Sequence, residues 1–187
     1  MKRILTFFAV LLVAATAMAQ GGAKTYGIKS GEYKTEMNMM GQKVVATVWF
    51  DDFGAKQLTK TKVSMMGMDL DMGTLLLDGK TYMINYGEKQ VQEMPTQESI
   101  NYMDLNDDTI AKYKIVMDGV EEVAGKECLV MTAEVNQMGQ TAKVKASVWE
   151  GIPMKTVTSS MGMDIIITVT DLKEGPVDPS LFKLPEF

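Results

Sequence analysis

Histidine is absent from this sequence and its one arginine is Arg3, so most familiar active-site chemistry has no residues to run on. Ser-His and Cys-His dyads need an imidazole to take the nucleophile's proton. Arginine is also the side chain best shaped to clamp a phosphate or carboxylate through two parallel hydrogen bonds. No G-x-S-x-G, P-loop or C-x-x-C occurs. Paired carboxylates are what a glycosidase would use, but Asp51-Asp52, Asp107-Asp108 and Glu121-Glu122 all fall where the chain is expected to turn. Asp104, Asn106 and Asp108 keep the D-x-N-x-D spacing of a calcium loop, yet its sixth position is Thr109 instead of Gly and its twelfth is Ile115 instead of Glu. A polar loop with a helix cap suits them better. The expectation is a protein that is not an enzyme and carries no cofactor.

Methionine is the unusual chemical resource. There are 18 in the chain, many of them clustered: Met37, Met39 and Met40; Met65, Met66, Met68 and Met72; Met161 and Met163. Such residues can fill a core. They can also form a deformable apolar lining for a flexible hydrophobic ligand, because the side chain is unbranched and polarizable. A third reading is thioether ligation of Cu(I), which requires several sulfurs to converge on one point. Cys128, the only cysteine, lies in the apolar run Cys128-Leu129-Val130-Met131 and reads as a buried, inert thiol.

These residues must be carried by strands. Met1-Lys2-Arg3 followed by the apolar run 4–13 and Ala17-Met18-Ala19 reads as a signal peptide over 1–19, cleaved before Gln20, with no cysteine there for a lipid anchor. The run is too short to span a membrane. Cleavage leaves 17 lysines against 24 acids, a net charge of −7, which argues against nucleic acid and anionic lipid surfaces. Residues 20–187 fit one domain. Within it, 134–171 alternates apolar and polar residues in four short strands, Ala142, Val144, Ala146 and Val148 against Lys143, Lys145, Ser147 and Trp149. Met138-Gly139 and Met161-Gly162 supply turns. The same order of turn, Trp-ending strand and Met-Gly-Met turn occurs at 36–52 and 61–73.

Further strands are expected over 31–40, 43–50, 56–64, 68–72, 74–77 and 81–86, with 90–94 at an edge. Others follow at 113–117, before a turn at Asp118-Gly119, and at 127–135. The best helix candidate is Thr96 to Leu105, capped by Thr96 or Ser99, with a second short turn over 108–112. Leu181, Phe182 and Leu184 should tuck the proline-rich tail onto the body. The fold class expected is mainly β (α+β): a long curved antiparallel sheet of ten or eleven strands with one or two short helices.

The export signal, the meander, Lys114-Ile115-Val116-Met117-Asp118-Gly119 with Val123-Ala124-Gly125-Lys126-Glu127-Cys128, and the closing Val177-Asp178-Pro179-Ser180-Leu181-Phe182-Lys183-Leu184-Pro185 together resemble the periplasmic lipoprotein-carrier superfamily (LolA/LolB-like), its small secreted members above all. The resemblance implies an incomplete β-barrel whose concave face is capped by helices, lined by apolar side chains and, in carriers, occupied by lipoprotein acyl chains. Met37, Met68, Leu70, Met72, Met163, Ile165 and Ile167 would line that face here. The dedicated carrier uses a strand arginine to control lid opening, and residues 20–187 have none. Binding of a lipid or other hydrophobic small molecule in the periplasm is therefore the expectation, with an envelope protein as the alternative partner and no nucleic acid.

Overall fold

The computed structural model describes residues 24–39, 42–65, 68–95, 99–137, 140–160 and 163–187. Six strands come first: β1 (Gly31–Met39), β2 (Gln42–Asp51), β3 (Lys56–Met65), β4 (Met68–Leu77), β5 (Lys80–Asn85) and β6 (Gln90–Met94). A helix, α1 (Asp107–Tyr113), separates them from β7 (Val116–Val123), β8 (Lys126–Gln137), β9 (Gln140–Trp149), β10 (Ile152–Ser160) and β11 (Met163–Glu174). All 11 form one sheet in the order β6-β5-β4-β3-β2-β1-β11-β10-β9-β8-β7. Every pairing is antiparallel, and the first and last strands in the order are not joined. The expected open, mainly β architecture is what the chain adopts.

Two hairpin meanders meet at the β1–β11 pair. The echoing stretches explain the layout, because each supplies four strands. Across the sheet these read β4-β3-β2-β1 and then β11-β10-β9-β8, two blocks side by side in the same sense. Two tandem copies would lie in this way. The Met-Gly turns at 40–41, 66–67, 138–139 and 161–162 lie outside the described residues, as does the signal segment 1–19.

Four expectations need correcting. The helix is not at 96–105: residues 96–98 lie outside the described residues, and 99–106 run irregularly. There Asn101 turns its side chain on the backbone, accepting from the Met103 amide at 3.0 Å and donating to the Lys24 carbonyl at 3.1 Å. Such local bonds compete with a helical ladder. The helix begins instead after Asn106, whose Oδ1 accepts from the Thr109 amide at 2.9 Å, with Asp107 and Asp108 in the first turn and Lys112 in the last. The calcium-like spacing is thus a helix cap.

Second, 68–72 and 74–77 are one strand. Gly73 continues it because a Cβ there would lie 2.9 Å from the Tyr86 ring, a space only glycine leaves open. Third, Asp118-Gly119 is not a turn after a strand over 113–117; Tyr113 ends α1, and β7 passes through the pair with a bulge between Met117 and Gly119. Fourth, Phe182 is buried and Leu181 packs beside it, but Leu184 is exposed.

Candidate ligand-binding face

Directly opposed residues in a sheet point to one face, so the registers sort the side chains. One row runs Met131–Ala146–Thr156–Ile167–Met37–Val44 across β8, β9, β10, β11, β1 and β2. A neighbouring row runs Ala133–Val144–Thr158–Ile165. On the other side of the seam the same face carries Ala46–Thr61–Met72 and Val63–Leu70. On β8 and β9 this face is covered by the segment around α1, whose Ile100, Tyr113 and Ile115 pack on Met131, Ala133, Ala146 and Val148. We call it the α1 face.

Of the predicted lining residues, Met37, Leu70, Met72, Ile165 and Ile167 share this face. Met72 and Ile167 are buried, while Met37, Leu70 and Ile165 are half-buried. The backbones of Met68 and Met163 continue the same rows, opposite Met65 and Ser160 respectively. Their side chains lie outside the described residues, as do those of Met39, Met40, Met65, Met66 and Met161, on which a convergent thioether site would depend. Among the described residues, no group of three or more His, Cys, Asp or Glu side chains could hold a metal ion.

Sequence reasoning missed the threonines. Thr35, Thr59, Thr61, Thr74, Thr81, Thr156 and Thr158 are buried, and the registers put all of them on the α1 face. They are β-branched residues well suited to a strand, and each brings a hydroxyl. The Thr59 and Thr61 hydroxyls have no hydrogen-bond partner. The signal was present in the sequence, since T-K-T in β3 alternates like its apolar neighbours. It was hidden because threonine counts as polar in a hydropathy pattern.

At the seam the face is closed by aromatic rings. Tyr26 meets Phe50 edge-on at 5.0 Å between ring centres, and Tyr33 lies 6.1 Å from Phe50. The Tyr26 hydroxyl donates to Gln57 Oε1 at 2.7 Å and lies 3.4 Å from the Tyr33 hydroxyl. Burial pushes the Tyr33 phenol up to about 12 and the Tyr26 phenol well above its ordinary value. Cys128 is fully buried, and desolvation raises its thiol, which keeps it protonated and unreactive.

The opposite face differs in chemistry on its two sides. On β3, β4 and β5 it is apolar, with Leu58, Leu75 and Ile84 under Phe182. On β8, β9 and β10 it forms an open groove of about 570 Å³ lined by Asp118, Thr132, Lys143, Lys145, Val157 and Ser159. That groove is polar and charged, unlike an apolar-ligand site.

No family model and no curated protein matches the sequence. Solved structures do match in fold. An uncharacterized conserved protein from Thermus thermophilus aligns over 84% of this chain and 86% of its own at 10% identity, with a TM-score of 0.58. MucB in its complex with MucA, from Pseudomonas aeruginosa, aligns over 81% of this chain and 54% of its own at 16% identity, with a TM-score of 0.55. This chain therefore spans about half the length of the MucB structure. LolA superfamily protein NE2245 from Nitrosomonas europaea aligns over 90% of this chain and 94% of its own at 8% identity, with a TM-score of 0.44. At these identities the likeness to the Thermus protein and to MucB is one of fold, an antiparallel sheet that stays open and does not close into a barrel. Among the described residues, no helix is long and apolar enough to cross a membrane.

Proposed function

We propose that the protein is exported and, without catalysing a reaction, binds an acyl chain or similar hydrophobic molecule on the α1 face. One observation carries the reading: Met37 and Ile167 are direct cross-strand partners at the seam, Ile165 follows on the same face of β11, and Leu70 and Met72 lie on that face in β4, beyond β2 and β3. Two strand blocks that are distant in sequence thus offer apolar side chains on one shared face, with Ala46 and Thr61 between Met37 and Met72. Half-buried Met37, Leu70 and Ile165 sit at its accessible margin, and the rows run on toward Met68 and Met163. Flexible thioethers beside branched aliphatics suit a chain-like ligand whose shape varies.

A second reading draws on one of the fold neighbours. MucB is seen in complex with MucA, and a half-barrel of this kind could likewise serve an envelope protein partner without any small ligand.

The test is mass spectrometry, denaturing and native, of protein purified from its native envelope, followed by titration with a fluorescent fatty acid. We expect an intact mass beginning at Gln20, a co-purifying lipid and saturable probe uptake. The double variant Leu70→Asp, Ile165→Asp places charge on the margin and should weaken uptake by about tenfold or more. An empty protein that also refuses the probe would end the ligand reading and leave the protein-partner one.

A further inference from the structure

We propose that the free edge of β7 is a docking site for an extended, lysine- or arginine-bearing segment of a partner protein, which would add to the sheet as a further strand. This site is separate from the α1-face ligand strip and does not depend on it. β7 ends the strand order, so among the described residues one side of its backbone pairs with no strand. An edge of this kind is a template for another chain, and proteins usually blunt it with charge. The opposite edge is less apolar: β6 shows Gln90, Gln92 and Glu93 to solvent, with Val91 38% exposed, and Lys80 pairs with Glu93 at 3.1 Å.

β7 is different. Val116 is 57% exposed, Met117 54% and Val120 63%, and Val120's cross-strand partner Leu129 is 55% exposed. Met117, Val120 and Leu129 share one face and form an apolar strip at the sheet edge, while Val116 is exposed on the other face. The hairpin is also held in place. Lys126, which opens β8, pairs with Glu174 at the end of β11 at 3.0 Å, and α1 leads directly into β7, with Lys114 bonded to Glu134. A docking strand would meet an edge already ordered, which lowers the entropic cost of binding.

Charge indicates what docks. The strand carries Asp118, Glu121 and Glu122 and no base. Thr132 donates to Asp118, and Ser147 and Lys155 hold Glu121. Glu122, by contrast, stands opposite exposed Glu127, with no described cation pairing with either. Like charges directly opposed are unfavourable until a cation joins them. Because Val120 and Glu122 are two residues apart, they share a face. An incoming strand would therefore place an apolar residue beside Val120 and, two positions along, a lysine or arginine beside Glu122. A second copy pairing through this same edge would set three acids against three, so the edge selects a basic partner over itself.

The probe is a peptide of 8 residues, the length of β7, in which valine and lysine follow each other two positions apart on one face, with threonine between them. Its controls are a valine–glutamate peptide and a valine–lysine peptide broken by proline, which keeps the charge but cannot form a strand. We expect the first to bind and the controls not to, with new amide-exchange protection confined to 116–123. Val120→Lys and Glu122→Lys, both at exposed positions, should each weaken binding by about tenfold or more, with near-ultraviolet dichroism unchanged. The proposal is overturned if the proline peptide binds equally well, if neither variant weakens binding, or if protection appears elsewhere. A concentration-dependent dimer abolished by Val120→Lys would also overturn it, assigning the edge to a second copy.

Discussion

The block β1–β4 and the block β8–β11 share a sequence order, turn for turn, yet different segments of the chain cover them. In the β8–β11 block the α1 segment lies on the face carrying Met131, Ala133 and Ala146, and the other face of β9 shows Lys143 and Lys145. In the β1–β4 block the C-terminal tail lies on the reverse face, where Phe182 seals Leu58 and Leu75. Small residues explain the first choice, since Ala133 and Ala146 leave room for Tyr113 and Ile115 to approach the sheet. Leucines explain the second. The β3 positions facing the other way are Gln57, Thr59 and Thr61, so the apolar payload of that strand is on the tail side. In the β1–β4 block both faces hold buried side chains, Val44, Val48 and Phe50 on one and Leu58 and Leu75 on the other, so the tail adds a second covered face.

Removing one cover should therefore loosen one block and spare the other. Phe182→Ala deletes a buried ring and is expected to cost about 3–5 kcal/mol, with amide exchange rising in β3, β4 and β5. Ile115→Ala should cost about 2–4 kcal/mol and raise exchange in β8 and β9 instead. Denaturant midpoints with residue-resolved exchange would check both. Uniform loosening by either variant would mean that the blocks are one cooperative unit, and the comparison would fail.

The seam between the blocks can be probed by alkali. Tyr33 at the seam and Tyr102 beside the α1 cover are each pushed up to about 12 by burial. In the unfolded chain both would titrate near pH 10. A phenol whose folded value is raised stabilises the protein below the unfolded value, and that contribution is lost as pH rises through the folded one. Stability should hold up to about pH 10 and fall by roughly 2 kcal/mol per buried tyrosine toward pH 12. Tyr102→Phe should remove its share of the slope, and Tyr33→Phe its own. Tyrosinate absorbance followed alongside unfolding would test this, and a native phenol titrating near pH 10 would contradict it.

How legible the molecule is in its sequence varies with the kind of signal. Strands that alternate cleanly, such as Lys143–Trp149, are visible because period two is a local property. The shared face of the proposed lining residues is legible too, since Leu70 and Met72, or Ile165 and Ile167, fall on one face by spacing alone. What brings the pairs together is the β1–β11 seam, which joins residues about 130 apart and leaves no local trace. The helix is misplaced from sequence because the Ile100–Met103 spacing looks amphipathic, while Asn101 binds backbone and Asn106 holds the real cap. Gly73 reads as a break because glycine usually ends a strand, whereas here it makes room for Tyr86 across the sheet. The buried threonines are invisible to hydropathy.

The smallest expected effect lies on β7, beside the block that shows charge on its open face. Glu121 has its carboxyl held below its usual range, first by the Ser147 hydroxyl and then by Lys155, whose Nζ lies 3.3 Å away. A depressed carboxylate stabilises the fold above its unfolded pKa, and that contribution is lost as pH falls through the folded value. About a third of the side chain is exposed, so solvent screening limits the contribution to roughly 0.5 kcal/mol. Glu121→Gln should thus lower the denaturant midpoint slightly near neutral pH, and the gap should close below about pH 4. Lys155→Met should shrink the gap at neutral pH without abolishing it, because the Ser147 bond remains. The β1–β4 block has no part in this cluster, so exchange in β3 and β4 should not change. A gap that persists at low pH would instead show that Glu121 acts through packing, and β7 would then be held by shape and not by charge.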